Sequence, residues 1–322
     1  MRSIIKQWTS IAWLTVLEAI RQPVVILLFA SAVIFIGLMP LVITQTLGES
    51  AKLVRDSAIA FYFLCGLVLG SYVACISITH EIQRGTVHAV LSKPVPRAVF
   101  FLAKFCGVAL IMLLYSLGTT LAILMSERTA HIPFHVDWWS AGPLLAAPVV
   151  AFILAGLINY FGRRPFASCA CAGMVTGIVL VFLAVGFLDP LGRPAPFGAW
   201  YSWNLPAACI LIALAILILA AWAVILAPRF KPMPTASICG TVFLLGLISD
   251  HLFGRHADTH ILAAFFHTLI PNWQHFWVAD ALTDGGIIPF HYVISVSQYA
   301  LLYLAGLLLA GLLIFRHSEI KS

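Results

Sequence analysis

The sequence predicts an all-α chain, a polytopic integral membrane helix bundle with about eight transmembrane helices. Three observations carry that prediction. Of 322 residues, 62% are hydrophobic and only 9% are charged, against about 25% charged in a soluble domain. The mean hydropathy is +1.03. Uncharged runs of about 20 residues, long enough to cross about 30 Å of hydrocarbon as helix, recur along the whole length. The 18 basic and 12 acidic side chains cannot cover a soluble core of this size. A soluble enzyme, a nucleic-acid binder and a disordered tail are therefore excluded as descriptions of the whole chain, and the net charge of +6 is read by its placement rather than as a nucleic-acid signal.

The runs are 23–43, 57–79, 99–125 (with Lys104 near its start), 141–161, 167–187, 205–227, 235–253 and 291–315. Helix is the economical choice for each, because a segment in lipid must satisfy its own backbone groups. The seventh run is the weakest. Only 235–249 is free of charge before Asp250, which suits a re-entrant segment as well as a crossing. Ala30-Ser31-Ala32 resembles a signal cleavage site, but 22 residues of charged preface come before the run and it continues to Ile43, so the first span is expected to stay. One transmembrane domain, 1–322, is expected, with an interfacial helix at 1–22, a loop at 80–98 and a segment on the opposite side at 254–290.

Orientation follows the Lys/Arg bias. With the N-terminus inside, the inner segments hold Arg2, Lys6, Arg21, Arg84, Lys93, Arg97, Lys104, Arg163, Arg164, Arg229, Lys231, Arg316 and Lys321, and the outer ones only Lys52, Arg55, Arg128, Arg193 and Arg255. Both termini are thus expected in the cytoplasm. Trp138, Trp139, Trp200, Trp203, Trp273 and Trp277 fall just beyond the outer ends, where an aromatic belt belongs. Lys104, near the start of its run, has a stem long enough to snorkel to the interface.

No run carries an acidic residue in its middle, which weighs against a proton-coupled carrier or an ion pump. The fourth run holds Asn159, Pro143 and Pro148 as its main polar or kinking features. Gly66 with Gly70, and Gly173 with Gly177, are G-x-x-x-G pairs on one helix face each, suited to packing within the chain or to a dimer seam. The seven cysteines all lie in apolar stretches and make no C-x-x-C or metal spacing, so they read as small buried hydrophobes.

The stretch THEIQRGTVHAVLSKPVPR, 79–97, is the most informative. Pro94 and Pro96 stop a helix, and Val87, Val90 and Leu91 recur at spacings of three and four, so one short amphipathic helix fits between two span ends. Such a helix is either a lever that tilts both spans or a basic loop touching anionic lipid. Glu81-x-x-x-Gly85-Thr86 followed by Leu91-Ser92-Lys93-Pro94-x-x-Arg97 resembles the permease subunits of ABC-2 type transporters, and more particularly their NosY-like branch of copper-site maturation permeases and the gliding-type permeases. Ile11-Ala12 with Glu18-Ala19-Ile20-Arg21-Gln22-Pro23 is similar to that family's interfacial elbow helix. Ile270-Pro271-Asn272, Phe276-Trp277 and Ala279-Asp280-Ala281-Leu282 resemble an outer segment before the last span, and Phe315-Arg316-His317-Ser318-Glu319 resembles the family's closing motif.

The resemblance implies a six-span core, here with an extra pair of helices among 205–253. It also implies a coupling helix in which Glu81, Arg84, Gly85, Thr86 and His88 meet an ATPase subunit. The partners it implies are that ATPase, a second copy of this permease or a related one, and membrane lipid, with no nucleic acid, in a bacterial cytoplasmic (inner) membrane. The chain has no G-x-x-x-x-G-K-[ST] loop and no Gly-Lys pair. Catalytic residues and cofactors of its own are therefore not expected, and ATP would be bound by the partner subunit. Substrate and direction of transport are not legible, although an exporter is the expectation.

Eight of the eleven histidines, at 131, 135, 251, 256, 260, 267, 275 and 291, fall on the outer side. His131 with His135 and His256 with His260 have the spacing of a helical metal pair, but no Cys accompanies them and Pro133 interrupts the first pair. No metal site is expected; a membrane metal-handling or redox protein built on these histidines is the alternative, and a secondary carrier is a third reading.

Overall fold

Helix follows helix along nearly the whole chain in the computed structural model, which describes residues 2–43, 50–83, 96–131, 136–252, 270–278, 281–282 and 286–317. The elements are α1 Arg2–Ile20, α2 Pro23–Val42, α3 Ser50–Gln83, α4 Arg97–Thr129, α5 Trp138–Gly162, α6 Phe166–Val185, α7 Leu205–Leu226, α8 Pro232–Leu247, the single turn α9 Ser249–Leu252, a 3₁₀ turn Trp273–His275 and α10 Phe290–His317. No strand occurs among the described residues, only an isolated bridge between Leu188 and Pro194. Among the described residues seven helices, α2 to α7 and α10, are long and apolar enough to cross a membrane. The chain is a polytopic helical membrane protein.

The helices start and stop for local reasons. Pro23, Pro206 and Pro232 sit in the first turns of α2, α7 and α8, where a missing N–H costs nothing. Asp137 caps α5 by accepting from the Ser140 amide at 3.2 Å. Arg163 ends α5 in the left-handed region at φ 50°, with Asn159 donating from Nδ2 to the Arg164 carbonyl. Asn159 therefore serves the helix end.

Consecutive spans alternate in direction between two ends of the bundle. The near end carries the turns at 21–22, 163–165 and 227–231; the far end carries 130–131, 136–137 and 186–204. The core lies where α2, α3, α4 and α7 meet, around Ile36, Tyr62, Met112, Tyr115 and Ile216, all buried. The Tyr115 hydroxyl donates to the Tyr62 carbonyl at 2.8 Å, and Ser126 donates to the Ile36 carbonyl at 2.6 Å, pinning α4 to α3 and α2. Helix α4 contacts α1, α2, α3, α5, α6, α7 and α10, while Leu110, Leu113 and Leu117 face outward from it.

The glycine pairs lie in seams within this chain. A Cβ on Gly66 would stand 2.6 Å from Ile216 Cδ1, and one on Gly70 would stand 3.6 Å from Ala220 Cβ, so α3 and α7 run side by side there. Gly173 and Gly177 face Ala151 and Ala147 across the α5–α6 contact.

The weak seventh run forms α8, 16 residues long. At 1.5 Å per residue it spans about 24 Å, short of the hydrocarbon thickness of about 30 Å. Residues 270–278 fold back over its far end. Trp273 is 1% exposed, donates from Nε1 to the Val242 carbonyl at 3.3 Å and fills the space beside Gly246. Trp273 thus plugs the core, which corrects its expected place in the aromatic belt; Trp138, Trp139, Trp200 and Trp203 are exposed.

These seams make a contrast that unfolding in detergent can measure. Gly66→Leu must displace Ile216 and is expected to cost about 1–3 kcal/mol through overpacking. Gly156→Leu, where no atom lies within 4 Å of the added Cβ, is expected to leave the protein no less stable, with a gain of up to about 1 kcal/mol from helix propensity.

Candidate functional site: charged pairs at the two ends of α4

The near end of α4 stands beside the segment that the sequence singles out. Helix α3 ends at Gln83 and α4 begins at Arg97, after Pro96 in extended backbone at φ −58°, ψ 135°. Residues 84–95, outside the described residues, connect these two helices in sequence, and α3 packs against α4. Glu81 lies on the last turn of α3, with its side chain outside the described residues; Arg84, Gly85, Thr86 and His88 also lie outside them.

Lys104, two turns into α4, is only 1% exposed, so it does not snorkel. Its Nζ lies 4.0 Å from Glu18 Oε2 on α1 and 5.7 Å from the centroid of the Phe100 ring. The ammonium is held between an acidic neighbour and an aromatic face, two contacts that offset part of its desolvation. Helix α1 can come this close because Gly107 has no side chain; a Cβ there would be 2.6 Å from Thr15 Cβ and 2.8 Å from the Ala12 carbonyl oxygen. Lipid exposure of Trp13 and Leu14 on the outer face of α1 contrasts with burial of Ala12, Thr15, Val16 and Ala19 against the bundle.

The far end carries a second charged layer, which the sequence reading missed. Helix α4 continues past Met125 through Glu127 and Arg128, and α3 begins at Ser50 rather than 57, so Arg55 lies inside it. Arg55, Glu127, Arg128 and Asp137 are each 7% exposed or less. Arg55 Nη1 lies 3.6 Å from Glu127 Oε1 and donates to the Leu282 carbonyl at 3.2 Å. Arg128 Nε donates to Asp137 Oδ2 at 2.9 Å, and its Nη1 donates to the Val185 carbonyl at 2.6 Å. The Arg128 guanidinium also stands 5.6 Å from the centroid of the Tyr201 ring. One layer of charges thus ties together α3, α4, the start of α5, the end of α6 and residue 282.

The 186–204 connection closes over this layer. Asp189 Oδ1 accepts from the Leu191 and Arg193 amides at 2.9 and 2.7 Å, and Gly192 takes φ 81°, which shapes a tight turn. Tyr201 stacks on Phe182 at 4.6 Å and donates to its carbonyl at 2.9 Å. Burial pushes the Tyr201 hydroxyl up to about 12, with Arg128 pulling the other way, so the phenol stays neutral at ordinary pH. A cavity of about 320 Å³ opens beside it, lined by His131, Ala195, Pro196, Trp200, Tyr201 and Ser202.

Among the described residues the outer histidines do not gather. His131 rests its ring edge-on to Trp200 and His275 does so to Tyr299; His251 and His291 are exposed. His135, His256, His260 and His267 lie outside the described residues. Among the described residues no group of three or more His, Cys, Asp or Glu side chains is placed to hold a metal ion, and all seven cysteines are free thiols.

The family model described as ABC-2 family transporter protein matches residues 11–185. The match runs from the middle of α1 to the end of α6 and covers more than half of the chain. No curated protein matches it.

Two outcomes follow from the geometry. Glu18→Gln weakens the compensation of a buried ammonium and is expected to cost about 3 kcal/mol in unfolding experiments, most of which Lys104→Met restores in the double variant. Tyr201 has a raised pKa in the fold, so its contribution is full below pH 10 and is lost as pH rises towards 12. Stability followed from pH 9 to 12 should therefore fall less steeply in Tyr201→Phe than in the parent chain.

Proposed function

The chain belongs to the ABC-2 transporter family, and we propose that it is the permease subunit of an ATP-driven exporter whose ATPase docks on residues 81–92. As the membrane component of a transporter it is not itself an enzyme. The observation that carries the docking proposal is the arrangement of α3 and α4, two packed spans whose near ends bracket the 84–95 segment. A force applied to a short segment fixed at both ends acts on both helices together.

In this reading Glu81, Arg84, Gly85, Thr86 and His88 form the contact with the ATPase. ATP is bound and hydrolysed in that partner, because this chain has no phosphate loop. A second copy of the permease or a relative completes the complex, in a bacterial inner membrane with both termini in the cytoplasm, the orientation supported by the Lys/Arg bias. The pattern around Gly85 and Pro94 favours a place near the copper-site maturation and gliding-type permeases. On closure of the ATPases, the 81–92 segment moves and the spans pass between inward-open and outward-open arrangements as rigid bodies.

Pull-down of the ATPase subunit, together with stimulation of its hydrolysis in reconstituted membranes, tests the proposal. Gly85→Leu is expected to uncouple transport from hydrolysis in a folded, inserted protein, because glycine permits close approach of a partner. Glu81→Lys is expected to weaken docking by about 1–3 kcal/mol through loss of a charge-assisted hydrogen bond. Wild-type values for both variants would make 81–92 a passive loop.

A further inference from the structure

The near-end pair and the far-end layer sit on the same helix, and only the far-end layer joins five separate pieces of chain. Its four charged side chains are buried, yet the contact they make differs in kind from the apolar seams of the core. Replacing a buried ion pair by apolar groups of similar volume is often neutral or stabilising, so its charges are weak evidence of a role in stability. A charged seam has another property. When it opens to water, its arginines and carboxylates regain hydration that offsets the lost attraction, whereas an opened apolar seam exposes hydrocarbon with no such return.

We propose that Arg55–Glu127 and Arg128–Asp137 form a gate latch, which holds the far ends of α3, α4 and α5 closed and releases them to water during transport. Three placements support it. The layer occupies the far ends of the spans, with Arg55 near the start of α3, Glu127 and Arg128 at the end of α4, and Asp137 at the cap of α5. Two of its bonds go to backbone carbonyls outside the charged set, Val185 at the end of α6 and Leu282, so parting the side chains also releases these two points. Beneath it lies a polar patch: Cys209, 1% exposed, stands beside the half-buried Thr120 and within electrostatic reach of Glu127. Opening the latch would wet that patch first.

Cys209 is therefore a natural reporter, and Cys239, fully buried on α8 against the Leu219 carbonyl, is its control. The inference rests on the proposed transport function. Its test uses this chain alone in proteoliposomes, so failure of ATPase docking and failure of the latch are separate results. In two single-cysteine proteins, one keeping Cys209 and one keeping Cys239, modification by a small, membrane-impermeant thiol reagent is timed. Asp137→Asn, which keeps the helix cap but removes the charge, and Glu127→Gln are expected to speed modification of Cys209 about tenfold or more, the scale of losing one charge-assisted hydrogen bond. Cys239 is expected to stay slow. Asp56 Oδ1 also accepts from Arg55 Nε at 3.5 Å, so Arg55→Met, Asp56→Asn and Glu127→Met together are expected to keep Cys209 slow, because an uncharged contact replaces the Arg55–Glu127 pair. Unchanged Cys209 in both single-charge variants would overturn the latch. Equal acceleration of Cys209 and Cys239 would overturn it too, because the charges would then be a staple of the whole fold.

Discussion

A charge buried at the end of a membrane-crossing helix has to be compensated by something fixed in space, and α4 carries such charges at both ends. Its 33 residues form one uninterrupted helix, about 50 Å long at 1.5 Å per residue, which exceeds the hydrocarbon thickness of about 30 Å. Lys104 lies at one end; Glu127 and Arg128 lie at the other. Each set recruits partners from other elements: Glu18 of α1 at the near end, Arg55 of α3 and the cap Asp137 of α5 at the far end. The placement of α1 across the bundle and the closure of the 186–204 connection both depend on these compensations.

Between its ends α4 is stiffened by packing. Its two internal glycines are the positions at which a helix interior is weakest, and each is occupied by a neighbour. Thr15 and Ala12 of α1 lie against Gly107, and the Phe29 ring of α2 lies over Gly118. The same ring meets Tyr115 edge-on at 5.7 Å, and Tyr115 in turn holds the Tyr62 carbonyl of α3. The sites that would allow a bend are thus the ones held most closely by α1, α2 and α3. In the proposed coupling, a displacement of the near end would pass to the far end as motion of one body, and the ATPase contact proposed at 81–92 and the far-end layer would be two loads on the same rod.

Much of the architecture was legible because lipid enforces a simple pattern. The expected runs 23–43, 205–227 and 291–315 correspond to α2, α7 and α10 within a few residues, since a crossing helix must be apolar along its whole exposed length. The second and third helices extend beyond the expected runs, over Ser50–Gln83 and Arg97–Thr129, for one reason. Hydropathy treats Arg55, Glu127 and Arg128 as the edge of a run, whereas in the fold each has a buried partner: Arg55 and Glu127 pair across 72 residues of sequence, and Arg128 pairs with Asp137 nine residues on. Such pairing is tertiary and leaves no local period. The only available signal was that Ser126, Glu127 and Arg128 follow Met125 without a glycine or proline to end the helix. Trp273 was misread likewise: its position beyond a span suggests the interface, but Gly246 leaves room for its ring in the core. The family match ends at residue 185, so α7, α8 and α10 are understood from their packing alone.

The claim on which the rest turns is that α4 moves without bending. Spin labels at Leu102, exposed on its outer face, and at the half-buried Leu121 beyond Gly118 should lie about 28 Å apart along a straight helix, measured between Cα atoms. Their distance distribution is to be recorded by pulsed electron resonance in the full chain reconstituted with its ATPase partner, before and after ATP. A single narrow distance, unchanged by ATP while distances from α4 to neighbouring helices shift, is the predicted result. A distribution that splits or broadens on adding ATP would show that α4 hinges between its two charged ends, and would contradict the account.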